Sequence, residues 1–264
     1  MLELKDLYKT FNPGTINAKT ALNGLSLTIH DGEFVTVIGG NGAGKSTMLN
    51  ATAGTFLVDS GSILIDGKDV TSLPEHKRAA FIGRVFQDPM MGTAPSMQIE
   101  ENLALAARRG QRRGLSWGVT KDEREEYRKK LGDLGLGLES RLSTKVSTLS
   151  GGQRQALTLL MATLRRPGLL LLDEHTAALD PKTAAKVMEL TDRIVRENQL
   201  TTLMITHNMR DAIQYGSRLI MLHEGHIILD IAGEDKKKLT VRDLLEQFTL
   251  ASGDEFSSDR AILS

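Results

Sequence analysis

Residues 39–47 read Gly-Gly-Asn-Gly-Ala-Gly-Lys-Ser-Thr and fit the pattern G-x-x-x-x-G-K-[ST]. Four glycines let the backbone fold tightly and turn its N–H groups onto an anion. The helix expected from Ser46 onward adds the favourable field of its N-terminus. Lys45 is placed to reach the β- and γ-phosphates of a nucleoside triphosphate, the Ser46 hydroxyl to ligate Mg²⁺, and Thr47 to add a phosphate contact. The candidate nucleotide-binding residues of this loop are Gly39, Asn41, Gly42, Ala43, Gly44, Lys45, Ser46 and Thr47. The loop alone does not separate nucleotide kinases, GTPases and transport ATPases, but the chain has no N-K-x-D sequence for reading guanine.

Two further constellations could complete the chemistry. An apolar run at 169–172 ends in Asp173-Glu174. In phosphate-loop proteins a buried strand ending in Asp delivers a carboxylate to Mg²⁺, so Asp173 is a candidate metal ligand. Glu174, one residue on, can reach a water beside the γ-phosphate and act as general base or water-positioning group. The plainer reading is a strand end with two solvated acids. Residues 149–153, Leu-Ser-Gly-Gly-Gln, place Ser150 as the cap of a helix starting near Gln153, with two glycines baring N–H groups at that end. That is either a second anion site or an ordinary helix cap.

The elements that must hold these groups alternate along the chain. Leu25, Leu27 and Ile29 alternate with polar residues as in a half-buried strand, and 34–38 (FVTVI) is the dense β-branched run of a central one. Residues 63–65 lead into Asp66-Gly67, a strand ending in a turn, and 81–86 reads as another strand. Residues 102–107 open one helix and 121–131 form another. A helix over 153–164, stopped by Pro167-Gly168, precedes the strand at 169–172, a helix over 183–197 and a strand over 201–205. Glu224-Gly225 marks a hairpin, 241–248 a short helix, and the polar tail starts at Ala251.

This order predicts an α/β fold with a P-loop NTPase core over 1–88 and 159–249. A helical subdomain is inserted over 89–158, and the tail covers 250–264. No internal repeat is present, so the unit occurs once.

Composition narrows the setting. Lys and Arg number 33 against 33 Asp and Glu, which gives no global pull towards nucleic acid. The absence of cysteine excludes disulfides and thiolate metal sites and fits a reducing cytosol. The run at 169–172 is far short of the roughly 20 apolar residues of a membrane helix, so the chain is expected to be soluble and to meet a membrane through a partner. His223 and His226 flank the hairpin turn without a third ligand and are poor metal candidates.

Lying between the phosphate loop and Asp173-Glu174, the Leu-Ser-Gly-Gly-Gln text resembles the signature motif of the ABC ATPase family, and the match runs through nearly the whole chain in family order. The resemblance implies that the core is of the ABC type, with an antiparallel β subdomain at the N-terminus. It implies that Gln87, in Val-Phe-Gln-Asp-Pro, contacts Mg²⁺ and the attacking water, and that His207, in Ile-Thr-His, contacts the γ-phosphate. Ala178-Leu179-Asp180 resembles the loop that crosses between subunits, and Phe11, with Tyr8 as the alternative, would stack on adenine. Ser150, Gly151, Gly152 and Gln153, with Asp180, would close on ATP held by a second copy. The implied catalytic set is Glu174, His207, Lys45 and Gln87, and the Mg²⁺ ligands are Ser46, Gln87 and Asp173. Where the family commonly reads D-E-P-T-S-A-L-D, this chain has His175 for the proline and Ala177 for the serine, and His175 is expected as a group that could titrate near the site.

The resemblance also implies partners: a transmembrane permease, a second ATPase subunit in a homodimer, and an extracytoplasmic substrate-binding protein. It places the chain in the cytoplasm, peripheral on the inner face of the cell membrane. The text at 173–184, DEHTAALDPKTA, is similar to bacterial importer subunits linked to aromatic amino acids such as tryptophan or tyrosine. An exporter or lipid-trafficking ATPase, and a soluble ABC ATPase such as a cluster-assembly subunit, share the motifs and stay open. No nucleic-acid partner is expected. Residues 89–97 (PMMGTAPSM) suit an adaptable docking surface or a core, and the basic run 108–113 a solvated loop that could meet anionic headgroups.

Overall fold

The computed structural model describes residues 1–111 and 118–252. In chain order it begins with β1 (Leu2–Phe11), β2 (Lys19–Ile29), β3 (Phe34–Gly39), α1 (Lys45–Ala53), β4 (Ser60–Ile65), β5 (Lys68–Asp69), α2 (Glu75–Arg78) and β6 (Ile82–Val85). There follow α3 (Ile99–Ala107), α4 (Lys121–Gly132), α5 (Gly151–Thr163), β7 (Leu169–Asp173) and α6 (Pro181–Glu197). The remainder is β8 (Thr202–Ile205), α7 (Met209–Gln214), β9 (Arg218–His223), β10 (His226–Ala232), α8 (Gly233–Lys238) and α9 (Val241–Ser252). The chain divides into two compact units, Met1–Arg78 with the described residues from Gln199 on, and Ala79–Asn198.

In the first unit β1 lies between β2 and β4, with β5 beyond β4, and every pair is antiparallel. Leu2, Leu4, Leu25, Leu27 and Ile29 fill the buried face of this N-terminal sheet, as the alternation requires. A second sheet places β3 between β8 and β9, both parallel to it, with β10 antiparallel to β9 through the turn at Glu224-Gly225. All six residues of β3 are buried, which explains its near-continuous apolar text. Its polar residue, Thr36, donates its hydroxyl to the Ala212 carbonyl at 2.9 Å.

In the second unit β6 and β7 pair in parallel. This unit is wider than the helical segment 89–158 because β6 and α6 both pack on α5. Helix α3 begins at Ile99, three residues before the pattern at 102–107, so those residues close the helix instead of opening it. The reason is a reciprocal cap between Gln98 and Glu101, which satisfies N–H groups that would otherwise be orphaned at the first turn. Helices α5 and α6 likewise start two residues earlier than their apolar periodicity, at caps made by Ser150 and Asp180. Helices α3 and α4 are tied by Arg124, whose Nε and Nη2 donate to the buried Glu100 carboxylate at 2.6 and 2.8 Å.

Part of the basic run is structural instead of solvated. Arg108 pairs with Glu123 at 2.9 Å, and Arg109 donates to the carbonyls of Ala162 and Arg165. Arg112 and Arg113, and residues 253–264 of the expected tail, lie outside the described residues. Among the described residues no helix is long and apolar enough to cross a membrane.

Candidate nucleotide site

The phosphate loop leaves the end of β3 and enters α1. Gly44 takes a left-handed φ of 101°, and a Cβ there would lie 2.4 Å from the Ala21 carbonyl, so glycine is required on two counts. Lys45 then becomes the first residue of α1, 8% exposed, and its Nζ donates to the Gly39 and Gly40 carbonyls at 2.5 and 3.0 Å. Two loop carbonyls thus hold the ammonium within the loop. Ser46 is exposed and Thr47 half-buried, in the first turn of the helix, where N–H groups have no intrahelical acceptor. The far end of α1 is closed by Gly54 and by the fully buried Arg78, whose Nη1 donates to the Ala51 and Thr52 carbonyls at 2.7 and 3.0 Å. A cation there complements the helix C-terminus, while burial pulls its own pKa down.

Sequence reasoning missed Arg78, and it also missed Lys19. Lys19 opens β2, and its Nζ lies 2.7 Å from the point where a side chain at Gly42 would begin. No motif marks it; only the folded chain brings the start of β2 to the loop.

Phe11 ends β1 with 36% of its surface exposed and stands edge-on to Phe56 with ring centroids 5.4 Å apart. Lys9, itself paired with Asp59 at 2.7 Å, sits 5.8 Å from the Phe11 ring. Tyr8 is also exposed, but its hydroxyl closes over Gly24. His207 follows β8 in the exposed turn before α7. Burial pushes the Asp211 carboxyl up, and the charge of His207 offsets part of that rise.

The second unit carries the acids. Asp173 ends β7, partly buried, with its Oδ2 at 3.4 Å from Arg84 Nη2. Burial pushes its carboxyl up; Arg84 lowers it and Glu174 raises it further. Glu174 has φ 43°, a left-handed conformation that costs a non-glycine residue about 1 kcal/mol or more. Gln87 is exposed two residues beyond β6. The carbonyl of its neighbour Phe86 accepts from Gln155 Nε2 at 3.3 Å, which links the glutamine turn to α5.

At the start of α5, Ser150 Oγ accepts from the Gln153 N–H at 3.3 Å, and Gln153 Oε1 accepts from the Ser150 N–H at 3.2 Å. The Gln153 amide also donates to the Leu136 carbonyl, so its side chain serves the cap. A Cβ on Gly152 would fall 2.2 Å from Thr183 Cγ2, and one on Gly151 3.1 Å from Leu179. The signature residues therefore pack directly on the Ala178-Leu179-Asp180 turn, where Asp180 caps α6 by accepting the Thr183 N–H at 3.1 Å.

His175 does not meet the expectation of a titrating group. It is 2% exposed, and its Nε2 lies 3.0 Å from Thr191 Oγ1, whose proton goes to the Val187 carbonyl. Nε2 is therefore the protonated nitrogen and the donor. Burial pushes the ring down to about 4, so it stays neutral near pH 7.

The donor set proposed for Mg²⁺ is hard oxygen: a hydroxyl, an amide and a carboxylate. Among the described residues no group of three His, Asp or Glu could hold a metal unaided. A site of few protein oxygens completed by phosphate suits Mg²⁺, and a carboxyl pushed up by burial is relieved by a cation.

Comparison with known proteins identifies the family. The family model described as ABC transporter matches residues 22–177. The chain is 49% identical, over 95% of its length and all of the relative, to the "Tyrosine transport ATP-binding protein" of Clostridioides difficile. It is 34% identical over 87% of its length to the "Spermidine/putrescine import ATP-binding protein PotA" of Haemophilus influenzae, of which it spans 57%. Among solved structures, a dimeric ATP-binding cassette in a post-hydrolysis state with ADP and Pi superposes with TM-score 0.75 at 31% identity, covering 88% of this chain and 98% of the other. An ABC transporter cassette in its ADP conformation gives the same TM-score at 26% identity, covering 94% and 98%. The chain belongs to the ABC transporter family, as one of its ATP-binding, ATP-hydrolysing cassettes.

Proposed function

We propose that this chain is the ATPase subunit of a bacterial importer, hydrolysing ATP between two copies and driving a transmembrane permease. Phe11 stacks on adenine. The loop glycines with Asn41, Ala43, Lys45 and Thr47 hold the phosphates. Ser46, Gln87 and Asp173 would hold Mg²⁺, which would supply charge stabilisation to the transferred phosphoryl group. Glu174 positions and deprotonates the attacking water, and His207 contacts the γ-phosphate. The signature residues 150–153, with Asp180, close on the nucleotide of the other copy.

The observation that carries the reading is Glu174, a carboxylate in a strained left-handed conformation directly beyond a buried strand. Strain of that kind persists where surrounding structure enforces it and gathers at working sites. Glu174→Gln is expected to bind ATP, accumulate as a dimer on gel filtration and lose at least about a hundredfold in turnover. Lys45→Ala is expected to lose nucleotide binding. Glu174→Gln with wild-type turnover overturns the assignment of the base.

The likeness to a tyrosine transport protein over its whole length supports an aromatic amino acid as cargo. The permease would dock on the loop at 89–97, where Met90 and Met91 are exposed and the buried Asn102 holds Ala94 by both its N–H and its carbonyl. Such docking puts the chain on the inner face of the membrane, with a substrate-binding protein outside. ATP turnover of the chain co-purified with its permease should rise with a tyrosine-loaded binding protein; stimulation by another cargo class and not by tyrosine refutes this assignment.

A further inference from the structure

Gly40, the second residue of the phosphate loop, is a glycine without a backbone reason. Its φ is not in the left-handed region, unlike Gly39, Gly42 and Gly44. What excludes a side chain is an aromatic ring: a Cβ at Gly40 would lie 2.9 Å from Phe248 Cζ and 3.6 Å from its Cε2. Phe248 belongs to α9, the last described helix, and is 4% exposed. It is packed in one cluster with Ile38, Met209, Ala212, Leu219, Met221 and Leu244, and stands edge-on to the His223 ring at 6.1 Å.

The same side of the loop has a second attachment. The N–H of Gly225, in the β9–β10 turn, donates to the Ala43 carbonyl at 3.0 Å. The loop is thus clasped from the C-terminal part of the chain at Gly40 by a ring and at Ala43 by a hairpin. Gly40 is also one of the two carbonyls that hold the Lys45 ammonium. A shift of Gly40 therefore moves an acceptor of that lysine.

We propose that Phe248 is a positioning residue for nucleotide binding: its ring fixes Gly40, and through Gly40 the path of the loop and the placing of Lys45. The inference rests on the reading of 39–47 as the ATP phosphate loop. Helix α9 then sets, through the Phe248 ring, how tightly the loop grips phosphate.

The geometry makes the test a size exchange. Gly40→Ala drives a methyl into the ring, and because a packed ring and a strand-anchored loop cannot both stay in place, ATP affinity should fall about tenfold or more. Phe248→Leu opens space at that contact and should weaken ATP by a smaller factor. In the double variant the methyl has room, so affinity should return to within about threefold of Phe248→Leu alone. Binding would be measured by calorimetry with ATP and Mg²⁺, with circular dichroism to establish that each variant is folded. If Phe248→Leu does not fold, Phe248→Met serves in its place. Wild-type affinity in Gly40→Ala, or losses in the double variant that simply add, overturn the proposal. Lys45→Ala separates the two levels: normal ATP binding in that variant removes the reading of the loop itself. Lost binding there with none lost in Gly40→Ala removes only the role of Phe248.

Discussion

Protonating His175 should loosen the fold and leave catalysis alone. The ring is enclosed against α6, donates to Thr191, and is pushed by burial from the ordinary 6.5 to about 4. Its folded pKa is depressed, so the unfolded chain takes up the proton first as pH falls. Stability from this group is complete above about pH 6.5 and is lost on acidification until pH passes below about 4. The full difference, about 2.5 pH units at 1.36 kcal/mol each, is about 3 kcal/mol, of which about 2 kcal/mol is gone by pH 5. The assay is urea unfolding at pH 7.5 and 5.0 for the wild type and for His175→Leu. The variant loses the Thr191 hydrogen bond at both values, so only the difference between the two pH values carries the titration. That difference should be smaller in the variant by about 2 kcal/mol. ATP turnover between pH 6 and 8 should have no limb that His175→Leu removes. A His175 imidazole signal, assigned by its loss in His175→Leu, that titrates near 6.5 by NMR, or identical acid sensitivity in the two proteins, refutes the argument.

Lys19→Ala should weaken ATP binding about threefold to tenfold at low salt, and less at high salt, with the melting temperature unchanged; equal affinities would show that the ammonium beside Gly42 does not meet phosphate. Arg124→Ala strips Glu100 of a two-point partner and should lower the midpoint of chemical denaturation at neutral pH. Arg124 holds the Glu100 carboxyl below its ordinary value of 4.5, so this stability is present above that value and lost as pH falls through the lowered one. The gap between wild type and variant should therefore close below about pH 4, and a gap unchanged at pH 3 would rule the pair out as its source.

What the linear text determined is chemistry tied to local backbone. The glycine loop ending in Lys45 and Ser46, the apolar strand closing on Asp173, and Ser150 before Gln153 are short-range patterns whose residue types and geometry go together. The structure shows them as the loop entering α1, the end of β7 and the cap of α5. Element order, and with it the α/β class, was equally legible, because burial of β3 on both faces and the alternation of β2 write themselves into neighbouring residues. Helix starts were misjudged by two or three residues, since caps such as Gln98 with Glu101 act before the apolar period begins.

Tertiary structure alone decided the long-range partners. Phe248 is about two hundred residues from Gly40, Arg78 reaches back to close α1, and Lys19 at the start of β2 meets Gly42. None of these has a spacing rule. His175 is the sharpest case: one residue from a catalytic candidate, it reads as a switch, yet its side chain turns inward to Thr191. Sequence proximity states how far apart two backbones can be. Which side of the strand end a ring occupies, and whether water reaches it, depends on α6 packing over it, and that is a property of the assembled fold.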